Sequence, residues 1–224
     1  GQLMIIPTYE QAKQYEKDYT YIPVCREILA DDVTPILMLR KLAALDGQYF
    51  LLESVEGGNL GRYSFLGYHP KLSVSCKNGV VKVKENGMVR ILPGKPKEAL
   101  QSLLKQYRSP QIEGLPTFTG GLVGYFAYET IQYAEPKLHI KQSDVNDFEL
   151  MMFDKLLAFD QVMYKLCIIV NARTADGEAG YNKAVEEIDA FIETLRITEP
   201  IPYEKPQKAP EFTCNLSKEE YCSM

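Results

Sequence analysis

The 224-residue chain contains no tryptophan and only two histidines, His69 beside Pro70 and His139 in a lysine-rich segment. With so little imidazole, a Ser–His or Cys–His nucleophile system and a histidine-based metal site are both poor readings. No apolar run approaches the roughly 20 residues that a membrane-spanning helix needs. There is no basic block, and 25 cations against 30 acids leave a net charge of −5. Nucleic acid and anionic membrane are therefore poor partners. The five cysteines, Cys25, Cys76, Cys167, Cys214 and Cys222, are odd in number and form no CxxC. Buried reduced thiols in a cytoplasmic protein explain them better than disulfides or zinc. The opening GQLMIIPTYEQAKQYEKDY has neither the basic n-region nor the apolar h-region of a secretory leader. Paired carboxylates at glycosidase or metal spacing, a phosphate loop and a nucleophile motif are missing too, so no residue here reads as catalytic or metal-ligating.

What is present is an ordinary globular composition, 46% hydrophobic and 25% charged. Glu10 to Asp18 reads as a short polar helix. Thr34-Pro35 is an N-cap followed by proline at the first helical position, and the pattern continues through Leu45. Strand signals then crowd together at Tyr49–Leu52, Tyr63–Leu66, Leu72–Cys76, Val80–Lys84 and Met88–Leu92. Asn78-Gly79 and Asn86-Gly87 supply the positive φ angles of tight hairpins, which predicts a three-stranded antiparallel meander. Pro96 to Gln106 reads as a helix with Leu100, Leu103, Leu104 and Tyr107 on one face. Thr119 to Ala127 (TGGLVGYFA) is an apolar strand whose glycines serve close packing or the approach of a ligand. Lys155–Phe159 and Lys165–Val170 read as a buried antiparallel pair, and Gly180 to Leu195 is the clearest amphipathic helix. The expected class is α+β, with largely antiparallel, sandwich-like sheets and a few flanking helices.

Chemistry concentrates in Leu51 to Gly67, LLESVEGGNLGRYSFLG. An apolar strand delivers Glu53 and Ser54 to its end, a loop with Gly57, Gly58 and Gly61 follows, and Arg62 opens the next strand. Such an arrangement can grip a small zwitterion, with Glu53 taking the ammonium and Arg62 the carboxylate by a bidentate fork. The same residues admit a purely structural reading. Ser54 then caps the strand end, Glu53 pairs with Arg62, and Tyr63 belongs to the core.

Toward the other end, Glu199 to Pro210 carries four prolines and reads as an extended linker. Ser217-Lys218-Glu219-Glu220 fits the capping box of a helix about to begin. The expectation is an N-terminal piece of a longer protein.

IPVCREILADDVTPILMLRKL, LLESVEGGNLGRYSFLGYHP, GGLVGYFAYE and DFELMMFDKLLAFDQV together resemble the N-terminal domain of anthranilate synthase component I, from about Tyr21 to Ala172. The large subunit of aminodeoxychorismate synthase shares this domain. In that sibling a fixed structural tryptophan and a partner-docking role are the alternative reading. The resemblance implies an arm and helix over 1–20 and a regulatory domain over 21–198. It further implies a linker over 199–211 and the start of a chorismate-binding catalytic domain over 212–224. For the whole enzyme it implies conversion of chorismate and ammonia to anthranilate and pyruvate. Mg²⁺ would be held by residues outside this chain, and the ammonia would come from a glutamine amidotransferase subunit. It also implies that L-tryptophan, the feedback inhibitor, binds beside the LLES strand, at Leu52, Glu53 and Ser54, with Arg62, Tyr63 and Pro35 as further candidates.

Overall fold

A computed structural model describes residues 4–56, 59–126 and 146–202. Eleven described strands form two wholly antiparallel sheets. Sheet A orders its strands β1 (Ile5–Ile6), β2 (Tyr21–Leu29), β11 (Lys165–Arg173), β10 (Lys155–Asp160), β4 (Asn59–Tyr68) and β3 (Tyr49–Glu56). Sheet B orders β7 (Met88–Leu92), β6 (Val80–Glu85), β5 (Leu72–Lys77), β9 (Phe148–Phe153) and β8 (Gly121–Phe126). The described α-helices are α1 (Tyr9–Lys13), α2 (Pro35–Leu45), α3 (Pro96–Lys105) and α4 (Gly177–Ile197).

Alternation along the strands sorts the side chains into three cores. On one face of sheet A, Leu66, Leu157, Ile168 and Val170 meet Met38 and Leu42 of α2 and Ile188 and Phe191 of α4. On its other face, Phe50, Phe65, Leu156 and Ile169 meet Phe153 and Met151 of sheet B. The far face of sheet B packs Val74, Val83 and Leu150 against Ala99 and Leu103 of α3. The layers are therefore helices, sheet A, sheet B and helix, the α+β sandwich that the sequence pattern predicts. β10 and β11 are apolar almost without interruption because both of their faces are covered.

Local chemistry fixes the element ends. Thr34 Oγ1 accepts the Leu37 N–H at 3.2 Å, and Pro35 sits in the first turn. Thr8 and Gln11 close a reciprocal capping box on α1, which is shorter than the predicted helix. Both Asn-Gly turns have positive φ at each residue (51° and 77°, then 51° and 75°), and the meander β5–β6–β7 forms as expected. In α3 the buried stripe is Pro96, Ala99 and Leu103. Leu104 is exposed instead, because the helix lies on sheet B one position out of the expected phase. Gly124 of β8 serves packing. A Cβ on Gly124 would run into the Glu149 carbonyl and stand 2.8 Å from Leu150 Cα of the adjoining strand.

β2 and β9 are strands that the sequence reading passes over. β2 opens YIPV, whose proline argues against an interior strand. Cys214, Cys222, His139, the capping box at Ser217 and nearly all of the linker lie outside the described residues.

Candidate functional site

The glycine-loop end of sheet A is built from β3, β4, β10 and the turn after β10. β3 and β4 pair from Tyr49–Tyr68 to Glu53–Ser64, and the register then shifts before resuming at Val55–Leu60. Across the break Ser54 alone stands against three residues of β4, Gly61 to Tyr63, so the extra residues of this irregularity lie in β4. A bulge releases main-chain groups from the ladder and re-aims the strand, as bulges beside binding sites do. The Ser54 side chain lies outside the description.

Pairing also decides which predicted residues share a face. Leu52 stands opposite Phe65, and Tyr63 follows two residues away on the same face of β4. The Tyr63 and Phe65 rings stack with centroids 5.7 Å apart. Leu52 is 42% exposed and Tyr63 half-buried, while Phe65 belongs to the core. Glu53 stands opposite Ser64, on the face toward the helices. Pro35 lies on that helical side as well, half-buried in the first turn of α2, which packs against β3 and β4. The structure therefore brings Leu52 and Tyr63 together and puts Glu53 and Pro35 on the opposite side of the sheet.

Arg62 does not face Glu53. Its Nε and Nη2 both donate to Asp160 Oδ2, at 3.0 and 2.6 Å. The other carboxylate oxygen, Oδ1, accepts the backbone N–H groups of Val162 and Met163, each at 3.0 Å. Burial pushes the Asp160 carboxyl pKa up, but the Arg62 hydrogen bonds and the two backbone donors outweigh it and hold the value below the ordinary carboxylate range. The Arg62 guanidinium lies 5.1 Å from the Tyr63 ring centroid. Burial raises the Tyr63 phenol, which stays neutral at physiological pH. Next to this group, Gln161 Nε2 donates to the buried Ser64 hydroxyl at 2.7 Å. The Glu53–Arg62 pair of the structural reading does not form: Asp160, 98 residues away, is the partner of Arg62. The one available signal was local, an Asp beginning a tight connection between two apolar strands, where Asx-type turns form.

A concavity opens at the opposite end of sheet A, where β2 begins and β11 ends. It has a volume of about 230 Å³ and is lined by Tyr21, Lys71, Asp154, Asn171, Lys183 and Glu187 among others. Lys71 Nζ donates to the Tyr21 hydroxyl at 2.8 Å, and the Tyr21 and Tyr107 rings stack at 5.6 Å. Burial pulls the Lys71 pKa down, but the Tyr21 hydrogen bond and nearby Asp154 leave it raised. Its cations are matched by acids, and none of the predicted site residues reaches it. Among the described residues, no group of three or more His, Cys, Asp or Glu is placed to hold a metal ion. No described helix is long and apolar enough to cross a membrane.

Comparison with known proteins identifies the relatives of this chain. A family described as chorismate binding enzyme matches residues 48–224, a span that begins at β3. The chain is 33% identical over 231 residues to anthranilate synthase component 1 of Acetivibrio thermocellus, covering 98% of this chain and 47% of that protein. It is 34% identical over 223 residues to the protein of the same name from Acinetobacter calcoaceticus, covering 95% and 44%. The chain thus spans about half the length of the curated relatives it matches. The crystal structure of anthranilate synthase component I from Streptococcus pneumoniae superposes with a TM-score of 0.51, at 24% identity over 80% of this chain and 38% of that one. That likeness concerns the fold.

Proposed function

The chain belongs to the family of chorismate binding enzymes, and from that premise we propose that it is the N-terminal, regulatory portion of an anthranilate synthase large subunit. The relatives' shared name and the near-complete coverage of this chain support the assignment. In this reading the whole protein aminates chorismate with ammonia from a glutamine amidotransferase subunit and releases pyruvate, which yields anthranilate for tryptophan synthesis. The chemical step belongs to the chorismate-binding catalytic domain. Mg²⁺ would be held by residues of that domain, outside this chain.

The ligand of this portion is L-tryptophan, bound at the glycine-loop end of sheet A. The observation that carries the reading is the exposed Leu52 on the same face as the half-buried Tyr63, next to the register break between β3 and β4 at Ser54. An indole suits that face by area and by ring stacking. The amino-acid end suits the register break, where main-chain groups leave the ladder beside Ser54, while Glu53, on the helical face, takes no part. Arg62 serves as a wall, held by Asp160 and covering the Tyr63 ring, rather than as a free fork for the carboxylate. Tryptophan would act by favouring an arrangement of the two domains that is poor for chorismate, with a coupling on the order of 1–3 kcal/mol.

Calorimetry on the full-length enzyme carrying Ser54→Phe tests the site. Tryptophan affinity should collapse while ammonia-dependent turnover persists, and unchanged affinity would remove Ser54 from the pocket. Anthranilate formation from chorismate and ammonia by these 224 residues alone would overturn the division of labour.

A further inference from the structure

The free edge of sheet B combines three properties that together describe a partner. β7 pairs with β6 on one side, and no described strand occupies its other side. That side presents a row of main-chain donors and acceptors, the template on which a further strand can be added. The edge is apolar as well: Met88, Val89 and Ile91 are 77%, 61% and 64% exposed.

The third property is charge. Positions 77–105 contain seven Lys or Arg against two Glu, a local +5 within a chain of net −5. The register places these charges. Val89 stands opposite Lys84 and Ile91 opposite Lys82, so one face of the edge shows two aliphatic side chains backed by two ammonium groups. Arg90 stands opposite Val83 on the other face and is exposed. Lys82, Lys84 and Arg90 form no ion pair with any described residue.

We propose that β7 is a docking edge for an extended segment of a partner protein in which apolar residues alternate with Asp or Glu. Added as a sixth strand of sheet B, such a segment places apolar side chains beside Val89 and Ile91 and a carboxylate beside Arg90. Lys82 and Lys84 supply the surrounding positive potential. The same pattern disfavours a second copy of this chain, because antiparallel self-pairing centred on β7 would set Arg90 directly against Arg90, and like charges opposite one another are destabilising.

The probe is a fluorescein-labelled nonapeptide alternating Val and Glu, titrated with the full chain and followed by anisotropy. Saturable binding is expected, with slowed amide exchange in β7. Arg90→Glu should weaken it at least tenfold at unchanged melting temperature, and the same variant should gain binding to a peptide alternating Val and Lys. The charge-swap gain keeps the test independent of any loss of fold. Absence of binding would overturn the proposal. So would equal binding of the Val–Lys peptide, of unstructured polyglutamate or of an oligonucleotide to the unaltered chain, since charge alone would then suffice. Sedimentation showing that the chain dimerises through β7, with Arg90→Glu shifting the dimer, would replace the partner strand with a second copy.

Discussion

Asp160→Asn isolates the electrostatics of the glycine-loop end. The carboxylate is 3% exposed and accepts four hydrogen bonds, two from Arg62 on Oδ2 and two from backbone N–H groups on Oδ1. Asparagine keeps one oxygen for the Val162 and Met163 amides but turns a donor toward the Arg62 guanidinium. Hydrogen bonds to charged groups contribute about 1.5–3 kcal/mol each. Here both reach one oxygen, and the Arg62 side chain is 49% exposed, so water takes over part of the loss. The expected cost is about 2 kcal/mol, a fall in melting temperature of roughly 4–8 °C for a chain of this size. The assay is urea denaturation followed by circular dichroism, with an unchanged slope and a lower midpoint.

The pH dependence gives the sharper check. The folded-state pKa of Asp160 is depressed, so its contribution is fully present above the unfolded value near 3.9 and is lost as pH falls through the lower folded value. The gap between the original chain and the variant should therefore be constant from pH 7 to about 5 and close below about 4. A variant as stable as the original at pH 7, or a gap that persists undiminished into strong acid, would refute the account. Arg62→Ala should reproduce most of the loss, and the double variant should cost less than the sum of the two, since both remove the same contact.

Because the chain has no tryptophan, added L-tryptophan is the only indole in solution, and its emission shift on titration reads binding directly. Tyr63→Ala should weaken that binding roughly 2- to 10-fold, the equivalent of an aromatic contact of about 0.5–1.5 kcal/mol, and no change would remove Tyr63 from the pocket. Gly124→Ala should cost about 3 kcal/mol by thermal denaturation, because the new methyl group meets the β9 backbone rather than a flexible side chain. Thr34→Ala should cost about 1 kcal/mol through the lost N-cap of α2, measured in the same way. Cys25, Cys76 and Cys167 are buried, and hydrogen bonding between Cys25 and Cys167 together with burial raises the Cys25 thiol pKa. All three should resist alkylation in the native chain and react on unfolding, as read by mass spectrometry.

Local signals were legible in the sequence wherever the responsible interactions are local. The Asn-Gly turns, the Thr34-Pro35 helix start, the β10–β11 pair and α4 all follow from residues a few positions apart. β2 was missed because Pro23 argues against a strand interior, and its place depends on β11 far along the chain. The candidate site divides along the same line. The sequence pattern puts Leu52, Ser54 and Tyr63 beside a strand end and a glycine loop. The faces on which they stand were not legible, because facing follows from the register of β3 on β4, and the extra β4 residues opposite Ser54 interrupt even that periodicity. Arg62 looked like a free cation because Asp160 belongs to a different hairpin.

The pairing of β2 with β11 also imposes an order on folding. Tyr21 aligns with Arg173, on the order of 150 positions later. At ribosomal speeds, roughly ten to thirty seconds separate the synthesis of the two strands. During that interval β2, with Val24 and Cys25 destined for full burial, has no partner on its β11 side. The meander β5–β6–β7, joined by two-residue turns, can pair as soon as it emerges, so sheet B has the means to nucleate well before sheet A can close. The nascent chain thus carries an unmatched apolar strand through most of its synthesis, a natural client for a chaperone acting at the ribosome exit.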